Sequence, residues 1–293
     1  MSMVESKTLP EKVLHGVNIA LLALLSVLFI LPVWHCLMAS FSEPLRLLSF
    51  QGLLLRPMGG SLEGYKAVLH NRNLFTGYMN TLYYVLVGTT INVLLTAIGG
   101  YCLSRRNSLL IRPLTLALVF TMYANFGMVP AFLTVRDLGL YNSRWSLLLP
   151  TAVSTYNIIV MRTAFRSVPK SLEESAMLDG AGDLTILVRI LLPVTKATLA
   201  VMVLLYAVGH WNSWFSASLY LQDRTKFPLQ LFLREILISN SASADGSSID
   251  GFLYLDEAIK YSTIVVATVP ILCIYPFVQK YFVSGIMLGA IKE

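Results

Sequence analysis

Six blocks of apolar sequence, each long enough to cross a lipid bilayer, limit this chain to very few folds. They run over about Val13–Phe41, Leu82–Leu103, Leu109–Leu133, Trp145–Thr163, Leu199–Leu221 and Ile259–Val283, and a spanning helix needs roughly 20 residues. Apolar side chains go all the way round each block, and strand alternation is absent. Lipid offers the backbone no partners, so each block must close its hydrogen bonds internally, as a helix. Charged residues make up 13% of the 293-residue chain and hydrophobic ones 56%, where soluble domains are roughly one quarter charged. The expectation is an all-α polytopic membrane protein with six transmembrane helices in a single transmembrane domain over residues 1–293. The first block is too long for a secretory signal and no small-x-small cleavage site follows it, so it reads as an uncleaved span.

Six spans put both termini on one face. Arg105, Arg106 and Arg112 crowd the short connection after span two, and Arg162, Arg166, Lys170, Arg189 and Lys196 follow span four. Together with Lys7, Lys12, Lys280 and Lys292 at the ends, they place the N- and C-termini in the cytoplasm by the positive-inside rule. The bias is modest, because the longer outer loops carry basic residues too. The net charge of +6 is spread along the chain with no basic stripe interleaved with aromatics, which argues against nucleic acid as a partner. Cys36, Cys102 and Cys273 fall inside spans and read as packing residues, neither a disulfide framework nor a zinc site. The outer loops are Ser42–Asn73, with Pro44, Pro57 and Gly59, and Gln222–Asp256, whose Ser/Asp/Gly-rich tract Ser239–Asp250 is expected to be flexible.

The inner connection between spans four and five, within residues 168–198, is strongly patterned. Ser171 with Glu174 three residues on has the form of a capping box, just after Pro169. A first short helix is expected over about Leu172–Leu178, ended by Gly180 and Gly182. Asp183 is placed to cap a second helix that runs to about Leu192, where Pro193 breaks it. Such a helix pair reads either as an interfacial element resting on lipid headgroups or as a docking element for a cytoplasmic protein; the physical pattern alone leaves both open.

The spacing Glu174-Ser175-Ala176, three residues, Gly180, nine residues, Ile190-x-Leu192-Pro193 resembles the EAA signature of ABC importer permeases, with Asp179-Gly180-Ala181 in the manner of the sugar-importer branch. Ser175 departs from the Ala usual there, but it is small. The segments Asn125–Trp145, Gly209–Asp223 and Phe227–Ile236 resemble the maltose-permease-like family, and within it the branch that imports complex oligosaccharides, alginate among them. The resemblance implies that Glu174, Ser175, Ala176, Asp179, Gly180, Ile190, Leu192 and Pro193 form a coupling element that docks on an ATPase. It implies a second, homologous permease subunit, an ATPase dimer and a periplasmic sugar-binding protein as partners, in the bacterial inner membrane. Transport would run by alternating access. The chain itself would be no enzyme: no catalytic residue, metal or cofactor on it, with ATP and Mg on the ATPase subunits.

The residues agree on their own terms. The sequence has no G-x-x-x-x-G-K-[ST] phosphate loop. No Asp, Glu, Lys or Arg lies deep in a span, where an ion-coupled carrier needs one. That weighs against the competing reading, a secondary carrier or channel for a small polar solute without ATP coupling. The polar groups inside the spans are neutral. Tyr156–Asn157 and Trp211–Asn212, with Trp214, pair aromatic faces with amides and suit a saccharide path; helix–helix hydrogen bonding would use the same residue types. His210 reads as a neutral, packed histidine. Glu173/Glu174 and Asp256/Glu257 read as caps and solvated charge, and Pro150, Pro270 and Pro276 either as points of bending during alternation or as tolerated kinks. Arg136, Arg144, Arg224 and Lys226 in the outer loops are candidates to attract an acidic sugar.

Overall fold

The structure is a computed structural model, and it describes residues 9–50, 52–105, 109–124, 127–243 and 257–273. Lys7, Arg106, Asn125, Asp256, Pro276, Lys280, Lys292 and residues 244–250 of the Ser-rich tract lie outside them. Every regular element among the described residues is helical. In chain order they are α1 (Leu9–Ser40), α2 (Pro44–Leu48), α3 (Glu63–His70), α4 (Arg72–Ser104), α5 (Ile111–Tyr123), α6 (Met128–Asp137), α7 (Trp145–Leu148), α8 (Thr155–Ser167), α9 (Lys170–Leu178), α10 (Asp183–Val194), α11 (Lys196–Trp211), α12 (Trp214–Tyr220), α13 (Leu229–Ser243) and α14 (residues 257–273).

The six apolar blocks do not become six uninterrupted helices. Two described helices, α1 and α4, are long and apolar enough to cross a membrane unaided, and the bent pairs α5/α6 and α10/α11 raise that to four if each pair is one span. The expected span Trp145–Thr163 is split, because residues 149–154 leave the helix between α7 and α8. Pro150 lies in this break and has no N–H to give a helix. Backbone opened at such a depth needs partners from the protein. Asn92 on α4 supplies one, its Nδ2 donating to the Thr151 carbonyl at 2.5 Å. Ser154 supplies another, its Oγ accepting from Asn157 N–H at the start of α8.

The chain forms two compact units, residues 1–70 with 236–268 and residues 71–235 with 269–293. In the first unit α1 is exposed along nearly all its length. Only its last turns pack: Ala39 joins Leu47 and Leu54 in a small core backed by Met38, Phe50, Met58 and Tyr261. The outer loop after α1 is correspondingly well tied. Leu54 N–H donates to His35 Nδ1 at 3.0 Å, Met58 N–H to Ser42 Oγ at 3.0 Å, and the Ser40 and Tyr65 hydroxyls meet at 2.7 Å.

In the second unit α4 is the axis against which α8 and α11 pack. Gly100 makes the α4–α8 approach possible, since a Cβ there would lie 3.1 Å from Met161 Cβ and 3.2 Å from the Arg162 nitrogen. The core gathers Tyr101 from α4, Met161 and Phe165 from α8, Ile186, Leu187 and Leu191 from α10, and Met202 and Tyr206 from α11. The patterned loop is therefore built into the core at one end. At the other end of α4, Asn80 Nδ2 donates to the Thr225 and Phe227 carbonyls at 2.7 and 3.0 Å, Tyr84 OH to the Lys226 carbonyl at 2.7 Å, and Leu229 N–H to Thr81 Oγ1 at 2.8 Å. Cys102 and Cys273 are exposed, which departs from the packing role expected of them; Cys36 is half-buried.

Candidate functional site

The docking candidate is α9. It follows the extended pair Val168–Pro169, with ψ of 135° and 129°. Proline's fixed φ suits helix entry, and it leaves no N–H unpaired. The expected Ser171–Glu174 capping box does not form. The helix already begins at Lys170, so Ser171 sits inside its first turn and no side chain caps the end. The other end closes as the glycine pattern predicts. Gly180 takes φ 79°, its N–H donates to the Met177 carbonyl at 3.0 Å, and Ala181 N–H donates to the Ala176 carbonyl at 2.9 Å. This is the paired bond set of a Schellman ending, and Ala176 and Ala181, which flank it, both pack on the core. Apolar surface stays open at both ends of α9: Leu178 is 89% and Leu172, in the first turn, 45% exposed, and Glu174, Ser175, Asp179 and Gly180 are exposed between and beside them.

The second helix of the loop departs from expectation at both ends. Gly182, not Asp183, occupies the N-cap position; Asp183 sits in the first turn, where a carboxylate faces the positive end of the helix dipole. Pro193 does not end the helix at Leu192. The chain stays helical to Val194 and turns by 88° into α11 at Thr195. A π turn over Leu187–Leu191 precedes the proline. The wider turn relieves the clash between a proline ring and the carbonyl four residues back. Leu191 is buried, Ile190 and Leu192 pack beside it, and Pro193 is exposed. Of the EAA residues, then, Ala176, Ile190 and Leu192 anchor the loop, while Glu174, Ser175, Asp179, Gly180 and Pro193 lie on its surface.

A clamp that the sequence does not advertise holds the two loop helices together. Arg105, at the end of α4, donates through Nη1 to Glu173 Oε2 at 2.8 Å and through Nη2 to Asp183 Oδ1 at 2.9 Å. Its guanidinium lies 4.2 Å from the centre of the Tyr101 ring, and Tyr101 OH donates to the same Asp183 oxygen at 2.7 Å. Glu173 is thus a structural ion-pair partner and not the solvated charge the sequence suggests. Arg162 and Arg166 on α8 donate to the Leu103 and Ser104 carbonyls at the end of α4. The clamp joins residues 68 and 78 positions apart, and no local pattern encodes that.

The polar span residues fall into two groups. Asn92 Oδ1 lies 2.7 Å from His210 Nε2 in the buried centre. Because Asn92 Nδ2 already donates to Thr151, its oxygen is the acceptor, so His210 Nε2 carries a proton. Thr96 and Tyr206 pair their hydroxyls at 2.6 Å. Trp211 is buried edge-on against Tyr78 with its indole N–H unpartnered, and Asn157 is also buried. Tyr156 and Asn212 are exposed, and Trp214 is half-buried under the Arg234 guanidinium, 3.6 Å from the ring centre. The structure does not bring Tyr156–Asn157 and Trp211–Asn212 to one surface as intact pairs; it buries one member of each.

The outer basic residues are engaged within the chain. Arg136 pairs with Asp137, Arg224 with Glu235, and Lys226 with Asp223 at 3.3 Å. Arg144 is turned onto Asn80 Oδ1 at 2.9 Å and the Tyr83 ring. Arg144, whose partners are neutral, keeps its charge, while the other three are each paired with a carboxylate. Hydrogen bonds from the Thr225 hydroxyl and amide, then from Lys226, hold the Asp223 carboxyl below the usual carboxylate range.

Spanning helices with neutral polar interiors, joined by a braced helix pair, describe a membrane protein of the permease class. Comparison with known proteins gives the particular family. A model for the binding-protein-dependent transport system inner membrane component matches residues 93–288, and the chain belongs to that family. The polygalacturonan/rhamnogalacturonan transport system permease protein YtcP of Bacillus subtilis (strain 168) is 38% identical over 273 residues, which cover 92% of this chain and 95% of that protein. Protein LplC of the same organism is 33% identical over 276 residues, covering 94% and 93%. A chain in the crystal structure of a bacterial ABC transporter involved in the import of the acidic polysaccharide alginate superposes with a TM-score of 0.86 at 31% identity, covering 95% of this chain and 100% of that one. This chain is a permease subunit of an ABC importer and not itself an enzyme.

Proposed function

We propose that this subunit carries an acidic oligosaccharide from a periplasmic binding protein into the cytoplasm, paired with a second permease over an ATPase dimer that binds ATP and Mg. In this reading the chain is one transmembrane domain of six spans, the bent and broken helices counting as spans, with both termini and the 168–198 loop cytoplasmic. The observation that carries it is α9: a short helix with Leu172 and Leu178 exposed at its ends, closed by Gly180 and anchored in the core through α10. A surface built that way transmits a push instead of yielding to it. Support for an acidic sugar comes from the relatives, since alginate and polygalacturonan are both chains of uronic acids. Tyr156, Asn212 and Trp214 are the path candidates that remain accessible.

The test is ATPase activity of the complete complex in liposomes, wild type against Gly180→Pro. Proline cannot adopt φ 79° and removes the N–H that Met177 receives. Loaded binding protein should stimulate hydrolysis in wild type and not in the variant, with uptake lost. Uronic-acid oligomers should stimulate and maltodextrins should not. Wild-type uptake by a normally assembled Gly180→Pro complex would remove α9 from the coupling role.

A further inference from the structure

At the same end of the second unit, beside the clamp, lies a groove of about 360 Å³ walled by Arg105, Arg112, Arg162 and Arg166, with Ile111 and Leu116 on its apolar side. Three helix ends meet there: the end of α4, the start of α5 and the last turns of α8. No carboxylate of a described residue lines the groove. Arg105 is paired with Glu173 and Asp183. Arg162 spends its Nε on the neutral Leu103 carbonyl, which satisfies a donor and leaves the charge in place. Arg112 is exposed and makes no ion pair with a described residue. The helix beyond it has no buried residue at all. Leu116, Phe120 and Tyr123, spaced four and three residues apart on one face, lead away from the arginines, each more than half exposed.

We infer that this groove binds the phosphate headgroup of an anionic phospholipid from the cytoplasmic leaflet, with the acyl chains lying along α5. The inference rests on the orientation proposed above, which puts these helix ends at the cytoplasmic interface. Cationic groups converge at headgroup depth, and a continuous apolar track begins where they stop. A soluble anion would use the first feature and have no use for the second. Basic pockets between spanning helices on the cytoplasmic side suit such headgroups, and each Lys or Arg near the surface is worth about a fivefold change in binding.

The experiment is native mass spectrometry of the intact importer, permease pair with ATPase, offered phosphatidylglycerol and phosphatidylcholine in equal amounts. Wild type should retain phosphatidylglycerol preferentially. Arg112→Gln should lower that retention about fivefold, Arg112→Lys should restore most of it, and Arg136→Gln, remote from the groove, should change nothing. Arg112 caps no helix, so its loss should leave the complex assembled. Equal retention of the two lipids, or unchanged retention in Arg112→Gln, overturns the proposal. Displacement of the lipid by inorganic phosphate alone assigns the groove to a free anion and overturns the lipid assignment. Binding seen only without the ATPase means that the partner fills the groove, and overturns it too. The coupling reading stands or falls separately, on the Gly180→Pro assay.

Discussion

Gly88 and His210 show how a single position can carry a whole contact. Gly88 lies in a π turn of α4 over Tyr84–Gly88, and a Cβ built there would run into the His210 ring. That ring is held by Asn92, which also holds the open backbone at Thr151. Gly88→Ala should therefore lower the melting temperature of the purified complex by an amount consistent with about 1–3 kcal/mol of overpacking. His210→Ala in the same chain should give part of it back, and a Gly88→Ala complex that melts like wild type would mean that the ring is not seated there. Asp223 offers a pH test. Its folded pKa is depressed, so its stabilisation is present above the unfolded carboxylate value of about 3.9 and is lost as pH falls through the folded one. The difference in thermal stability between wild type and Asp223→Ala should be flat from roughly pH 5 to 8 and vanish in acid. The sequence marks His210 and Asn92 as polar residues in apolar blocks. It does not mark them as a pair, because they are 118 positions apart.

At the scale of elements, punctuation by glycine is legible and capping by side chains is not. Gly180 demands a left-handed conformation and takes it; Gly180→Ala, which keeps the N–H but strains the turn by about 1–2 kcal/mol, should couple partially where Gly180→Pro does not couple, as read by uptake per ATP hydrolysed. The capping box failed because helix entry was settled by Pro169, and the neighbouring Glu173 was recruited by Arg105 from another helix. The clamp is between side chains up to 77% exposed, so its contribution to stability is small, about 0–1 kcal/mol. Its effect is on geometry. Arg105→Gln should leave the melting temperature nearly unchanged and lower the sugar moved per ATP; equal losses of stability and coupling would make it a stability element only. Span boundaries were the least legible. Apolar composition is the same on both sides of the break at Pro150 and of the bend at Thr195. What decides them is the donor from Asn92 and the packing of α10, both long-range.

For the whole molecule, the membrane class was written in the composition, and the division of labour among spans was not. α1 and α4 both read as spanning runs, α1 the more apolar; the most apolar stretch of α1 is wholly unburied in this chain, while a third of that of α4 is buried. α1 therefore faces lipid or another subunit. Leu24, 69% exposed near its middle, should tolerate Ala within about 0.5 kcal/mol of wild-type stability. Leu24→Arg should cost about 2.5–3.5 kcal/mol of insertion, seen as a loss of membrane-inserted protein.

α4 has 33 residues, which at 1.5 Å each is a rod of about 50 Å. One end is gripped at Arg105 by the 168–198 loop, and the other is gripped at Asn80 and Thr81 by the chain on either side of Lys226. A rod held at both ends acts as a lever, and its fulcrum is where it is seated, at Gly88 against His210. In the function proposed above, displacement of α9 would reach the far end of α4 as a single swing. The fulcrum is the last residue of the π turn over Tyr84–Gly88, and that turn is the one place along the rod where the swing would be absorbed as bending.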